Sequence, residues 1–150
     1  MTDHATTIDA LNGLLETCKD GEYGFVACAE HAGSPHLKSL LSSRANDCRT
    51  AAAQLLAEIE ALGGSADASG SIEGALHRGW IAVRSALTLN DDKAVLQECE
   101  RGEDAALESY RDALKQDLTA SIRSMVEQQY SGVKRNHDVI RRLRDAAKMG

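Results

Sequence analysis

The sequence is short of the residues that build sheets, membrane spans and disulfide scaffolds. It has one Pro and one Trp in 150 residues, and only 3% of its residues are aromatic. Strands draw on aromatic and β-branched side chains, and runs of these are missing, so a sheet-rich fold is excluded and helices are favoured. No apolar run approaches the ~20 residues a membrane-spanning helix needs. Cations are in deficit: 17 Lys and Arg stand against 23 Asp and Glu, a formal charge of −6. Nucleic acid and anionic membranes both demand cationic surface, so neither is an expected partner. The four cysteines, Cys18, Cys28, Cys48 and Cys99, form no C-x-x-C pair. Buried reduced thiols, packed as small apolar groups, are expected. Met1-Thr2-Asp3-His4-Ala5 carries neither a basic region nor an apolar core, which predicts no signal peptide and a cytoplasmic location.

What is present is a helical pattern. Apolar residues make up 43% of the chain, enough for a real core in one domain, 1–150. The first helix is expected over Ile8–Glu30, capped by Thr6 or Thr7, with seam Ile8, Leu11, Leu15, Cys18, Glu22, Phe25, Ala29. These spacings alternate three and four, the mark of one packed helix face. Gly33-Ser34-Pro35 then supplies a stop, an N-cap and a first-turn proline. The second helix follows over Pro35–Leu62, with seam Leu37, Leu41, Arg44, Cys48, Ala51, Leu55. Residues 63–71 (GGSADASGS) read as a loop. A shorter helix, Ile72–Leu87, carries Leu76, Trp80, Val83 and Leu87 on one side. After a cap at Asn90 or Asp91, the third helix runs over Asp92–Lys115, with seam Leu96, Cys99, Glu103, Ala106, Tyr110, Leu114. The fourth runs over Ala120–Ala147, with seam Ile122, Val126, Gln129, Val133, Asn136, Ile140, Leu143. Short turns make helices 1 and 2, and helices 3 and 4, antiparallel pairs. The long connection between helices 2 and 3 crosses the bundle and carries the extra short helix.

Polar intruders in these seams repeat. Cys18-Lys19-Asp20-Gly21-Glu22 and Cys99-Glu100-Arg101-Gly102-Glu103 both read C-x-x-G-E, while Arg44-Ala45-Asn46-Asp47 echoes Lys134-Arg135-Asn136-His137. Glu22 stands 11 residues before Gly33 and Arg44 stands 11 after it; Glu103 stands 15 before Leu118 and Lys134 stands 16 after it. Equal distance from a turn means equal height in an antiparallel hairpin. Glu22 is therefore expected to meet Arg44 and Asp47, and Glu103 to meet Lys134 and His137, in one layer at mid-bundle.

The two-hairpin arrangement resembles the ferritin-like superfamily. The stretches Thr17–Phe25, Gly74–Trp80 and Glu98–Ala105 are similar to an uncharacterised bacterial family of ferritin-like four-helix-bundle proteins. That resemblance covers nearly the whole chain and implies an all-α, ferritin-like up-down bundle, but no activity. The superfamily's dinuclear iron sites take a Glu from each of two helices and a Glu-x-x-His from each of the other two. Carried onto this chain, Glu22 and Glu103 match the single-Glu positions and His137 matches one His. Arg44 and Lys134 stand where ligand carboxylates belong, and Asp47 stands at the other His position. Two cations in place of two carboxylates repel divalent metal. The expectation is that a buried salt-bridge network of Glu22, Arg44, Asp47, Glu103, Lys134 and His137 replaces the metal site.

Two function classes follow. The preferred one is a non-enzymatic bundle acting through its surface or by assembly, in interaction or stress response, with no cofactor and no catalytic residues. It allows a homo-oligomer, such as a dimer, through helix faces or the crossover helix. The alternative is a ferritin-like protein holding a single transition metal on Glu22, Asp47, Glu103 and His137, for iron binding or oxidant handling. Of the remaining candidates, Cys28 and His31 could offer two zinc ligands but lack a second pair, and His77 is expected to pack near Trp80. Cys18 and Cys99 correspond in the repeat, and small-residue packing is preferred there over a redox pair. The basic run of helix 4 reads as a solvated face against acidic helix 3.

Overall fold

The computed structural model describes residues 4–66 and 91–149. Those residues form four helices: α1 (His4–His31), α2 (Pro35–Ala61), α3 (Asp92–Leu114) and α4 (Ala120–Met149). All four agree in order and place with the helices expected from periodicity. The expected crossover helix Ile72–Leu87, with His77 and Trp80, lies outside the described residues.

Local chemistry sets the ends. Ser34 caps α2, its Oγ accepting the Leu37 N–H at 3.3 Å, and Pro35 occupies the first turn, where a missing N–H costs nothing. Lys38 Nζ donates to the Ala29 and Glu30 carbonyls, which α1 leaves open at its C-terminus. Asp91 caps α3 by accepting the Ala94 N–H at 3.1 Å. Arg123 reaches back to the Leu114 and Gln116 carbonyls, closing the end of α3 at 2.9 and 2.7 Å. α1 extends upstream of the expected Thr6 or Thr7 cap, so Thr7 becomes a buried helical residue.

Two tertiary fastenings fix the topology. The Asp92 carboxylate accepts the Gly33 and Ser34 N–H groups at 2.6 and 3.2 Å, placing the start of α3 on the α1–α2 turn. At the opposite end, α2 stops at Gly63, whose φ of +87° suits glycine. Asn12 Nδ2 then donates to the Ser65 carbonyl, laying the exit from α2 beside the start of α1. The chain thus leaves α2 at one end of the bundle and enters α3 at the other. This gives two antiparallel hairpins joined by a connection between opposite ends, as expected. No helix among the described residues is long and apolar enough to cross a membrane.

Two apolar clusters fill the interior. One, toward the α1–α2 turn, includes Phe25, Cys28, Leu41, Val95, Cys99 and Ile140. The other, toward the α3–α4 turn, includes Leu11, Leu14, Leu55, Ile59, Tyr110 and Val126. Burying each large aliphatic side chain contributes about 1.5–3 kcal/mol, so these clusters are the main cohesive force. On α3, Glu103 stands between Cys99 of the first and Tyr110 of the second. On α4, Asn136 stands between Val126 and Ile140. Packing is close between α1 and α2, between α3 and α4, and between α1 and α3, whereas α2 and α4 barely meet. A cleft of about 1110 Å3 opens there and runs into the bundle interior, with Ser43, Arg44 and Asp47 on the α2 side, Gln129, Gly132 and Asn136 on the α4 side, and α1 and α3 completing the lining.

Candidate functional site

Among the described residues, the middle of the bundle holds one fully buried acid, Glu103, at 2% exposure. Asn136, itself buried, donates its side-chain amide to Glu103 Oε2. Glu103 Oε1 has no hydrogen-bond partner among the described residues. Burial pushes the carboxyl up to about 7, with the Asn136 hydrogen bond and the Arg44 charge opposing and Asp104 and Glu100 adding to the rise. Arg44 lies over the Phe25 ring, 5.8 Å from its centroid, and gives Nη1 to Asp47 one turn along α2.

The six residues expected in one layer are therefore only partly brought together. Glu103 and Arg44 share the centre. Asp47 is exposed and touches the centre only through Arg44. Glu22 does not face Glu103: it lies at the α1–α2 edge, accepting from Arg49 Nε at 2.8 Å. The reason is a neighbouring glycine. Gly21, not Glu22, enters the interface, and a Cβ there would stand 2.8 Å from Cys48 Sγ. α2 fills the space that glycine leaves, and Glu22 turns about 100° aside. Lys134 is also displaced. It is exposed, with Nζ 4.5 Å from the Tyr130 ring centroid, because Asn136 occupies the inward position and Lys134 lies about 200° around the helix from it. The neutral amide of Asn136, not the Lys134 ammonium, meets Glu103. Sequence reading placed Asn136 in the seam but gave the partnership to the charged residues beside it.

A second polar chain, which helix periodicity does not reveal, links α1, α3, α4 and α2. Cys18 Sγ lies 3.3 Å from Tyr110 Oη, which donates to Gln129 Oε1 at 2.8 Å. Gln129 Nε2 in turn donates to Gln54 Oε1 at 2.9 Å and to the Ala51 carbonyl at 3.4 Å. The legible signal was the pair of amides, Gln129 and Asn136, seven residues apart in an otherwise apolar α4 seam. Burial pushes the Cys18 thiol up to about 11 and the Cys48 thiol up to about 12, and the Tyr110 phenol rises by the same cause. These groups stay protonated at neutral pH and are poor nucleophiles. Cys18 and Cys99 are not neighbours: Cys99 packs against Cys28 in the other cluster, where burial and that contact raise its thiol too. His31 turns back to its own helix, Nδ1 lying 2.8 Å from the Ala27 carbonyl oxygen, so Cys28 and His31 do not form a ligand pair.

A different set of metal-ligating atoms converges on the outer α3–α4 face. Glu100, Asp104 and His137 each present one such atom, all within 4.8 Å of one another. The i, i+4 spacing puts both carboxylates on one face of α3, and His137 Nε2 lies 2.7 Å from Asp104 Oδ1. Arg144 also binds both Glu100 oxygens, so a cation already serves that carboxylate. The bundle centre itself does not fit a dinuclear metal. It offers one carboxylate, already hydrogen-bonded by an amide, beside a guanidinium, where two divalent ions need several anionic ligands.

The domain of unknown function DUF2383 matches residues 6–116. A search of curated proteins gives no match. Among solved structures, the chain is similar to a bacterioferritin-related protein from Bacteroides fragilis, described as a dodecameric thioferritin. The TM-score is 0.81 at 16% identity, over 99% of this chain and 90% of that one. It is also similar to a Dps1 mutant of Mycobacterium smegmatis, with TM-score 0.78 at 15% identity, over 96% and 99% of the two chains. A two-domain protein from Anabaena variabilis, containing DJ-1/ThiJ/PfpI-like and ferritin-like domains, gives TM-score 0.78 at 12% identity. This chain is 97% covered in that match but spans only 41% of the Anabaena chain. At these identities the likeness establishes the fold, a ferritin-like four-helix bundle.

Proposed function

We propose, from the premise that the chain belongs to the DUF2383 family, that it is a non-enzymatic ferritin-like bundle working by binding rather than by metal chemistry at its centre. The observation that carries this reading is the Glu103–Asn136 pair beside Arg44. Where the fold's metal sites draw carboxylates and histidines from four helices, this chain supplies one acid, one amide and one cation. In this reading a smaller polar centre of Glu103, Asn136 and Arg44 stands in place of the expected six-residue salt-bridge network, with Glu103 Oε1 left without a hydrogen-bond partner among the described residues. The reading includes a cytoplasmic protein that associates with copies of itself, as its Bacteroides fragilis neighbour is described to do.

Anaerobic titration with ferrous iron, followed by admission of air, tests it. The expected result is less than 0.1 iron per chain at the centre and no ferric absorption band. Two irons per chain, lost on Glu103→Ala, would overturn it. A second reading is favoured by Glu100, Asp104 and His137: a single divalent ion on the outer α3–α4 face, after displacement of Arg144. One metal per chain, lost on His137→Ala and retained on Glu103→Ala, would establish that alternative.

A further inference from the structure

We infer that the cleft between α2 and α4 binds an aliphatic polyamine, with the Glu103 carboxylate receiving one ammonium group. This rests on the reading above, that no metal fills the middle of the bundle. At about 1110 Å3 the cleft has room for a small organic ligand. Six acidic side chains, two on α1, Asp47 on α2 and three on α3, line it against Arg44 and Arg135, so the field inside favours cations and disfavours phosphates and carboxylates. Between those charges the walls mix hydroxyl and amide side chains with apolar surface from Leu40, Cys48, Ala51, Val133 and Val139. Methylene segments separated by ammonium groups match that alternation. A flat aromatic ligand does not: Phe25 and Tyr110 are the aromatic lining residues described, and they already carry Arg44 and Tyr130.

The floor of the cleft supplies the specific contact. Glu103 is 2% exposed, its Oε2 accepts from Asn136, and its Oε1 has no partner among the described residues. A buried carboxylate oxygen without a donor is unfavourable, and an ammonium group brings three N–H donors and a compensating charge. Arg44 does not fill that role: its Nη1 goes to Asp47, and no guanidinium N–H reaches Oε1. A lone carboxylate suits a singly charged ammonium better than a divalent ion, which needs several anionic ligands.

Isothermal titration of chelator-treated protein with spermidine tests this. Saturable binding of one spermidine per chain below 1 mM is expected, with Glu103→Gln weakening it at least tenfold. Asp117→Asn removes one formal charge at an exposed position outside the cleft and should change the affinity less than twofold. On the wild-type chain, spermidine should shift the amide resonances of α3 and α4 around Glu103 and Asn136, which decides the matter even if Glu103→Gln folds poorly. Absence of saturation, equal weakening by the two variants, or shifts confined to exposed acids would overturn the polyamine. Those results, with iron uptake still absent, leave the metal-free reading standing. Two irons per chain lost on Glu103→Gln would overturn both.

Discussion

Replacing Glu103 with Gln and following stability against pH probes the centre of the bundle directly. The folded carboxyl lies at about 7 against an ordinary 4.5. The folded state therefore holds its proton more tightly than the unfolded state between those values. Stability from this group is complete below the unfolded value and is lost as pH rises through 7. A shift of that size corresponds to about 3 kcal/mol, of which roughly 2.5 kcal/mol falls between pH 5 and 8. Glu103→Gln keeps the shape and removes the titration. The charged groups that act on Glu103, namely Arg44, Asp104 and Glu100, remain in both proteins, so their own titration largely cancels in the difference. Urea unfolding of both proteins in chelator at half-unit pH steps gives the measurement. The wild type should lose about 2.5 kcal/mol relative to the variant from pH 5 to 8. Parallel curves would show that the Glu103 carboxyl is solvated or fully compensated, and would refute the buried centre described above.

The pairing itself is open to a double-mutant test. At pH 8, Asn136→Leu strips Glu103 of its hydrogen-bond donor and should cost about 3 kcal/mol, while Glu103→Leu with Asn136→Leu should recover most of that; a double variant as unstable as Asn136→Leu would refute the pair. Lys134→Leu should change stability by no more than about 1 kcal/mol, since Lys134 is exposed and lies over the Tyr130 ring. Gly21→Ala should gain about 1 kcal/mol of helix propensity in a Cys48→Ala background but not in the wild type, where the new methyl meets Cys48 Sγ; unfolding midpoints in the two backgrounds compare them. Asp92→Ala should cost about 1–2 kcal/mol, because it frees two N–H groups of the α1–α2 turn, and hydrogen exchange at Gly33 and Ser34 should rise with it.

The four helices, their order and several of their caps were legible in the sequence because they depend on nearby residues. Ser34-Pro35 starts a helix whatever else the chain does, and Asp91 caps the next one by reaching three residues ahead. The two-hairpin arrangement followed from turn lengths. The candidate site was legible only in part. Glu103 announced itself as a charge in an apolar seam, but its partner did not, because Asn136 sits two places from Lys134 and charge complementarity pointed to the lysine. Glu100, Asp104 and His137 were spread over two helices, with no local spacing to join them.

Helix periodicity leaves a choice that only packing resolves. From Cys18, the steps to Gly21, Phe25 and Cys28 alternate three and four as well as the steps to Glu22, Phe25 and Ala29 do. Both sets satisfy the same pattern, and glycine adds no hydrophobic signal in favour of its own. In the folded bundle, Cys48 presses into the space at Gly21, and that contact sets the rotation of α1. One residue of rotation moves a carboxylate from the centre to the edge. The sequence by itself determined that a bundle forms with acids near its seams, and tertiary packing decided that, of the described acids, Glu103 is the buried one.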